Sequence, residues 1–109
     1  MLLKDNANTK KKDEYGYHAA YLAAGDGNLN ALKLLVERDG DVIDLRERNG
    51  KTPLMVASKM RRVDVCKYLV DGKNANVNLR DNHGKTALQY VPKCPKVPKI
   101  IEVLKRGYK

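Results

Sequence analysis

The chain has no phenylalanine and no tryptophan in its 109 residues, so any core must be built from Leu, Val, Ile, Ala, Met and Tyr. Without large rings to fill deep space, such residues suit thin, closely packed layers of helix. Cysteine is scarce: Cys66 falls in an apolar helical pattern and Cys94 in a proline-rich loop, and two thiols make no disulfide framework. Cys94 lies between Lys93 and Lys96, so a reactive thiol is an alternative to a merely solvated one. His18 and His83 are the only histidines, and CxxC and HxxxH clusters are absent, so neither a metal nor any other cofactor is expected.

No run approaches the roughly 18 apolar residues that span a bilayer, and the amino terminus lacks the apolar stretch of a signal peptide. The expectation is a soluble intracellular protein, cytoplasmic with a nuclear location left open. GxSxG, P-loop, HExxH and dinucleotide fingerprints are all missing, which argues against an enzyme.

What the chain does have is positive charge and internal repetition. Lys and Arg number 22 against 13 Asp and Glu, a formal +9 that attracts acidic protein, nucleic acid or anionic lipid. At this length one small domain or one short repeat array is all that can form. A shift of 34 positions lays Asn49-Gly50-Lys51-Thr52-Pro53-Leu54 on His83-Gly84-Lys85-Thr86-Ala87-Leu88 without a gap. The same shift pairs Gly16 with Gly50, Ala23 with Ala57, Leu29 with Val63, Leu35 with Leu69 and Ile43 with Val77. A recurrence of this length means stacked supersecondary units.

Each unit reads as turn, helix, turn, helix. Thr52 is placed to cap a helix whose first residue is Pro53, where a missing N–H does no harm; that helix runs to about Met60. Val63, Cys66, Leu69 and Val70 then form one stripe of a second helix, as Leu29, Leu32, Leu35 and Val36 do in the first unit. Gly40 and Asn74 follow the second helices, where a left-handed residue would end them. His18 takes the helix-start position of Thr52 and Thr86, which suits capping or packing better than catalysis.

The segment Gly50-Lys51-Thr52-Pro53-Leu54-Met55-Val56-Ala57 resembles the G-x-T-P-L-H-x-A core of the ankyrin repeat. Val65-Cys66-Lys67-Tyr68-Leu69-Val70, closed by Asn74-Ala75-Asn76-Val77-Asn78, resembles that family's second helix and following turn. The likeness extends from about Asn6 to Gly107 and implies an all-α solenoid of stacked helix-turn-helix units with β-turn or hairpin tips. On this reading 13–44, 45–78 and 79–109 are successive repeats, the last a degenerate cap. Residues 1–12 are either the tail of an earlier repeat or a basic arm; the first alternative leans toward a segment of a longer array or a shortened gene product.

The sequence also departs from the family pattern. The family's His is replaced by Tyr21, Met55 and Gln89, and its Gly before the second helix is kept as Gly27 but becomes Arg61. In the third unit Pro92, Pro95 and Pro98 interrupt the chain, so the first helix should stop near Tyr90 and a last one start at Pro98, carrying Ile100, Ile101, Val103 and Leu104. The PxxPxxP spacing is read as a stiff connector, with a ligand for an SH3-like domain as the alternative.

The resemblance implies a protein-protein interaction module that binds through hairpin tips and the concave side of the first helices. Position by position this assigns Lys12, Arg46 and Arg80; Glu14, Arg48 and Asn82; Tyr15, Asn49 and His83; then Tyr17, Lys51 and Lys85. Lys59 and Met60 lie at the far end of the second unit's first helix. The expected partner is an acidic peptide or protein face, with Tyr15, Tyr17 and Met60 as apolar anchors. Two alternatives stand: a basic surface binding nucleic acid or anionic lipid, and a generally solvated surface, since Lys67, Lys73, Lys99, Lys105 and Arg106 lie outside the groove. The chain is expected to be mostly monomeric, with self-association open where the array ends uncovered.

Overall fold

The computed structural model describes residues 16–92 and 98–106, and among these the chain is helical with no extended strand. The helices are α1 (Ala19–Asp26), α2 (Leu29–Arg38), α3 (Pro53–Lys59), α4 (Val63–Lys67), α5 (Ala87–Tyr90) and α6 (Pro98–Arg106). A 3₁₀ turn at Gly40–Asp44 follows α2, and a widened π-type turn at Tyr68–Gly72 continues α4. Within hairpins α1 packs on α2, α3 on α4 and α5 on α6; between hairpins α1 lies beside α3, α3 beside α5, and α6 against α4 and its π-type turn. This is an all-α solenoid.

Burial follows the apolar stripes. Leu32, Leu35 and Val36 of α2, Val65 and Cys66 of α4, Leu69 and Val70 of the π-type turn, and Ile100, Val103 and Leu104 of α6 are all buried. They join Ala20, Leu54 and Ala57 from the first helices in one core. Small residues at Ala20, Ala23, Ala24 and Ala57, all buried, let neighbouring first helices approach closely. Burial pushes the Cys66 thiol up to about 11, so it is packed as a small apolar group. Cys94 lies outside the described residues.

Local chemistry sets the helix starts. Thr52 Oγ1 accepts the Met55 N–H at 3.4 Å, with Pro53 at the first helical position. In α1 His18 does this work: Nδ1 accepts the Tyr21 N–H at 3.2 Å, which leaves Nε2 to donate to the Leu45 carbonyl at 2.9 Å. The fully buried imidazole is therefore both a cap and a strap to the next hairpin.

The turns between paired helices show where the pattern is strained. Gly27, at φ +73, ends α1 with its N–H on the Ala24 carbonyl and the Asn28 N–H on that of Ala23, the Schellman arrangement. A Cβ on Gly27 would stand 2.9 Å from Cδ of Arg62, whose Nε donates to the Gly25 carbonyl at 2.9 Å. The same arrangement ends α3, with Arg61 N–H on Ser58 and Arg62 N–H on Ala57, but the left-handed residue is now Arg61 at φ +60. Asn74, at φ +55, is left-handed as expected. Gly40 is not: α2 ends at an extended Asp39 (φ −153) whose carboxylate accepts the Asp41 N–H at 3.0 Å, so side-chain capping turns the chain where a left-handed glycine was expected.

An exposed arginine held left-handed crowds its own backbone, whereas glycine does not. Arg61→Gly should therefore raise the unfolding free energy by about 0.5–1 kcal/mol after the extra chain entropy of glycine is offset. Thermal unfolding followed by circular dichroism should show a Tm higher by roughly 4 °C. A lower Tm would mean that the Arg61 side chain contributes more than its backbone strain costs.

Candidate protein-binding surface

The loops ahead of α3 and α5 are two copies of one tip. In the first, Glu47 N–H donates to the Lys51 carbonyl at 2.8 Å and Gly50 N–H to the Glu47 carbonyl at 2.9 Å, while Glu47 Oε1 accepts from Asn49 N–H (2.6 Å) and Lys51 N–H (2.9 Å). In the second, Asp81 N–H donates to the Lys85 carbonyl at 2.9 Å, and Asp81 Oδ1 accepts from His83 N–H (2.8 Å) and Lys85 N–H (2.9 Å). A buried carboxylate thus gathers the backbone of each tip.

The glycines of the tips are sites of close approach. Gly16, Gly50 and Gly84 have φ of +85, +82 and +77. A Cβ on Gly16 would lie 2.3 Å from Cβ of Arg48, and one on Gly50 would lie 2.6 Å from Oδ1 of Asn82, so each tip leans on the glycine of the one before. The backbone completes the link: Arg48 N–H donates to the Gly16 carbonyl at 3.1 Å and Asn82 N–H to the Asn49 carbonyl at 2.9 Å. The tips are consequently a hydrogen-bonded row.

Of the residues that sequence assigned to binding, Arg46, Arg48, Asn49, Arg80, Asn82, His83 and Lys85 are exposed on these two tips. Lys51 is half-buried, with Nζ 5.5 Å from the Tyr90 ring centre; Lys85 Nζ reaches the same ring at 5.4 Å. Lysines of successive hairpins therefore converge on one aromatic ring. Tyr17 is half-buried and stacks on Tyr21, with centroids 5.2 Å apart and planes 4° from parallel. Lys59 and Met60 are exposed at the opposite end of α3, about 10 Å from the tips for a helix of this length. Lys12, Glu14 and Tyr15, and with them residues 1–12, lie outside the described residues.

Sequence reasoning missed Tyr21 and Tyr90 as groove residues. Burial first, then the charge of Glu47 and the neighbouring Tyr17, pushes Tyr21 up to about 12. Tyr90 is also raised, by burial and by donating its hydroxyl to Asp81 Oδ2. Burial alone would raise Asp81, but the hydrogen bonds from Tyr90 and from the Lys85 and His83 backbone outweigh it and hold the carboxyl below its usual 3.8. Glu47 differs in one respect: its Oε2 is buried without a hydrogen-bond partner among the described residues, because Val56 stands where Tyr90 stands one repeat later. The available signal was the recurrence of Leu22, Val56 and Tyr90 at intervals of 34, four residues after His18, Thr52 and Thr86.

Because Asp81 is more acidic in the folded chain than when unfolded, its stabilisation is full above about pH 4 and fades as pH falls through the folded value. Asp81→Asn should destabilise the fold by about 1 kcal/mol at neutral pH and make stability less steep on the acid side. Urea unfolding of both proteins between neutral pH and pH 3 checks this; parallel curves would show that the carboxylate is not what orders the third tip.

The model of the family described as ankyrin repeats (3 copies) matches residues 1–81 and 43–107. An ankyrin repeat-containing protein of Schizosaccharomyces pombe is 46% identical over 48 residues, covering 44% of this chain and 23% of that protein. A probable E3 ubiquitin-protein ligase of Oryza sativa subsp. japonica is 41% identical over 59 residues, covering 53% of this chain and 13% of that protein. The match thus spans a quarter or less of the length of these curated relatives.

Proposed function

The chain belongs to the ankyrin-repeat family, and on that premise we propose that it grips an acidic peptide or protein face with its concave groove and tips. Ankyrin repeats are in general protein-protein interaction modules. The observation that carries the acidic partner is the disposition of charge along the two tips. Arg46, Arg48, Arg80 and Lys85 are exposed and Lys51 half-exposed, whereas the acids of the same tips, Glu47 and Asp81, are buried against tip backbone. A partner approaching the row meets cations already arranged by the hydrogen bonds between tips, so little ordering is required of the groove on binding.

The binding set is the described part of the predicted one, Tyr17, Arg46, Arg48, Asn49, Lys51, Lys59, Met60, Arg80, Asn82, His83 and Lys85, joined by Tyr21 and Tyr90. Lys51 and Lys85, steadied on the Tyr90 ring, are the members best placed to take a carboxylate. The +9 charge favours a second reading, binding to nucleic acid or anionic lipid. Retention on immobilised DNA that ends by about 150 mM salt would mark that binding as incidental counterion release.

The direct test is fluorescence anisotropy with a labelled Glu-rich peptide. Charge reversal at Arg46, Arg48 and Lys51 (each to Glu) should weaken binding at least roughly tenfold and flatten its dependence on salt. Unchanged affinity in the triple variant would remove the groove from the binding site.

A further inference from the structure

The floor of the groove presents apolar side chains as well as charge. Leu22, Val56 and Tyr90 hold the same place in α1, α3 and α5, four residues past the capping residue, and these helices lie side by side. Their side chains therefore form a row across the stack. Leu22 is 44% exposed, and Val56 and Tyr90 are half-buried. Val56 leans over the last turn of α1: its Cγ2 is 3.1 Å from where a Cβ on Gly25 would stand, so the glycine leaves room for it. Met60, 46% exposed, lies one turn beyond Val56, whose carbonyl accepts its N–H at 2.9 Å. Among the described residues the other exposed large apolar side chain is Leu34, on α2 and away from this row.

We propose that this row seats an acidic segment of a partner protein whose own apolar side chains recur about 10 Å apart, the usual spacing of packed helices. One such side chain would rest on Leu22, the next on Val56 and Met60, and a third on Tyr90, with carboxylates between them turned toward Lys51 and Lys85. Charge complementarity selects this occupant. The row is edged by lysines held on Tyr90, and the neighbouring Glu47 and Asp81 are buried under the tips. A second copy of the chain, at +9, is repelled from the same place. The inference rests on the acidic-partner reading and adds the apolar anchors and their spacing.

The test uses three labelled extended peptides of equal length and charge, Glu-rich with interspersed Pro. One carries Leu at every third position, which repeats at about 9 Å in a polyproline-II chain. A second has those Leu residues changed to Ser, and a third has the Leu residues clustered. The wild-type chain should bind the spaced-Leu peptide about tenfold or more tightly than either control. Leu22→Ser combined with Met60→Ser should abolish that preference, so that the variant binds the spaced-Leu and Ser peptides with equal affinity. Both positions are about half exposed, so the double variant should melt as the wild type does, and the three-peptide comparison on the wild type does not depend on it.

Equal affinity of the wild type for all three peptides, or a Leu preference that survives in the double variant, would overturn the inference and leave the acidic-partner reading in place. Failure of the wild type to bind any of the peptides would overturn both. Binding to phosphatidylserine vesicles that is lost in the double variant, with no peptide preference, would assign the row to a membrane and overturn the inference as well.

Discussion

No hairpin of this chain can keep water from its own apolar stripe. First helices of eight, seven and four residues have little inner surface, and Leu54 and Leu69 are fully buried where α5 and α6 of the next hairpin pack on α3 and on the π-type turn. Hydrophobic stabilisation here accrues between neighbouring hairpins, whose contacts join into one continuous core. The composition fits that constraint: alanines bring first helices together, aliphatic residues fill the space between second helices, and the absent Phe and Trp would have forced the layers apart.

Stacking fixes more than the core. Because one tip donates backbone N–H groups to the tip before it, and because glycine at Gly16 and Gly50 admits the close approach, the loops form a row instead of independent excursions. Within each loop a buried carboxylate takes the N–H groups that a turn would otherwise leave unsatisfied. With the backbone and the acids so occupied, the exposed side chains of the tips are predominantly cationic, and the same bonds that hold the fold also hold those cations in place.

Where the pattern is broken, other side chains take over the work or the strain persists. His18 performs the capping of Thr52 and in addition ties α1 to the Leu45 carbonyl of the following hairpin. Arg61 keeps the left-handed turn that Gly27 makes without strain. In the third hairpin, Tyr90 closes the short α5 by bonding to Asp81, and its ring receives Lys51 from the previous repeat. A residue at the end of an abbreviated helix thereby becomes the meeting point of two repeats.

Much of this was legible because the signals are local. Thr52 with Pro53, the stripe through Leu69 and the proline at the start of α6 each act through residues within a turn or two, sequence order preserves such proximity, and the recurrence at 34 positions repeats these local signals. Gly40 was misread because two local devices can turn the chain there, and the Asp39 carboxylate prevailed over a left-handed glycine. Sequence by itself therefore determined the family, the helical hairpins, the side of each helix that is buried, and the excess of positive charge. Only the tertiary structure decided that Lys51 and Lys85 share the ring of Tyr90, that Tyr17 stacks on Tyr21, and that Leu22, Val56 and Tyr90 line up across neighbouring helices. The Lys51 contact and the Leu22–Val56–Tyr90 row join separate hairpins, and which side chains meet is set by how far one hairpin is rotated and shifted on the next. That geometry comes from packing across the whole interface and is written in no single stretch of residues.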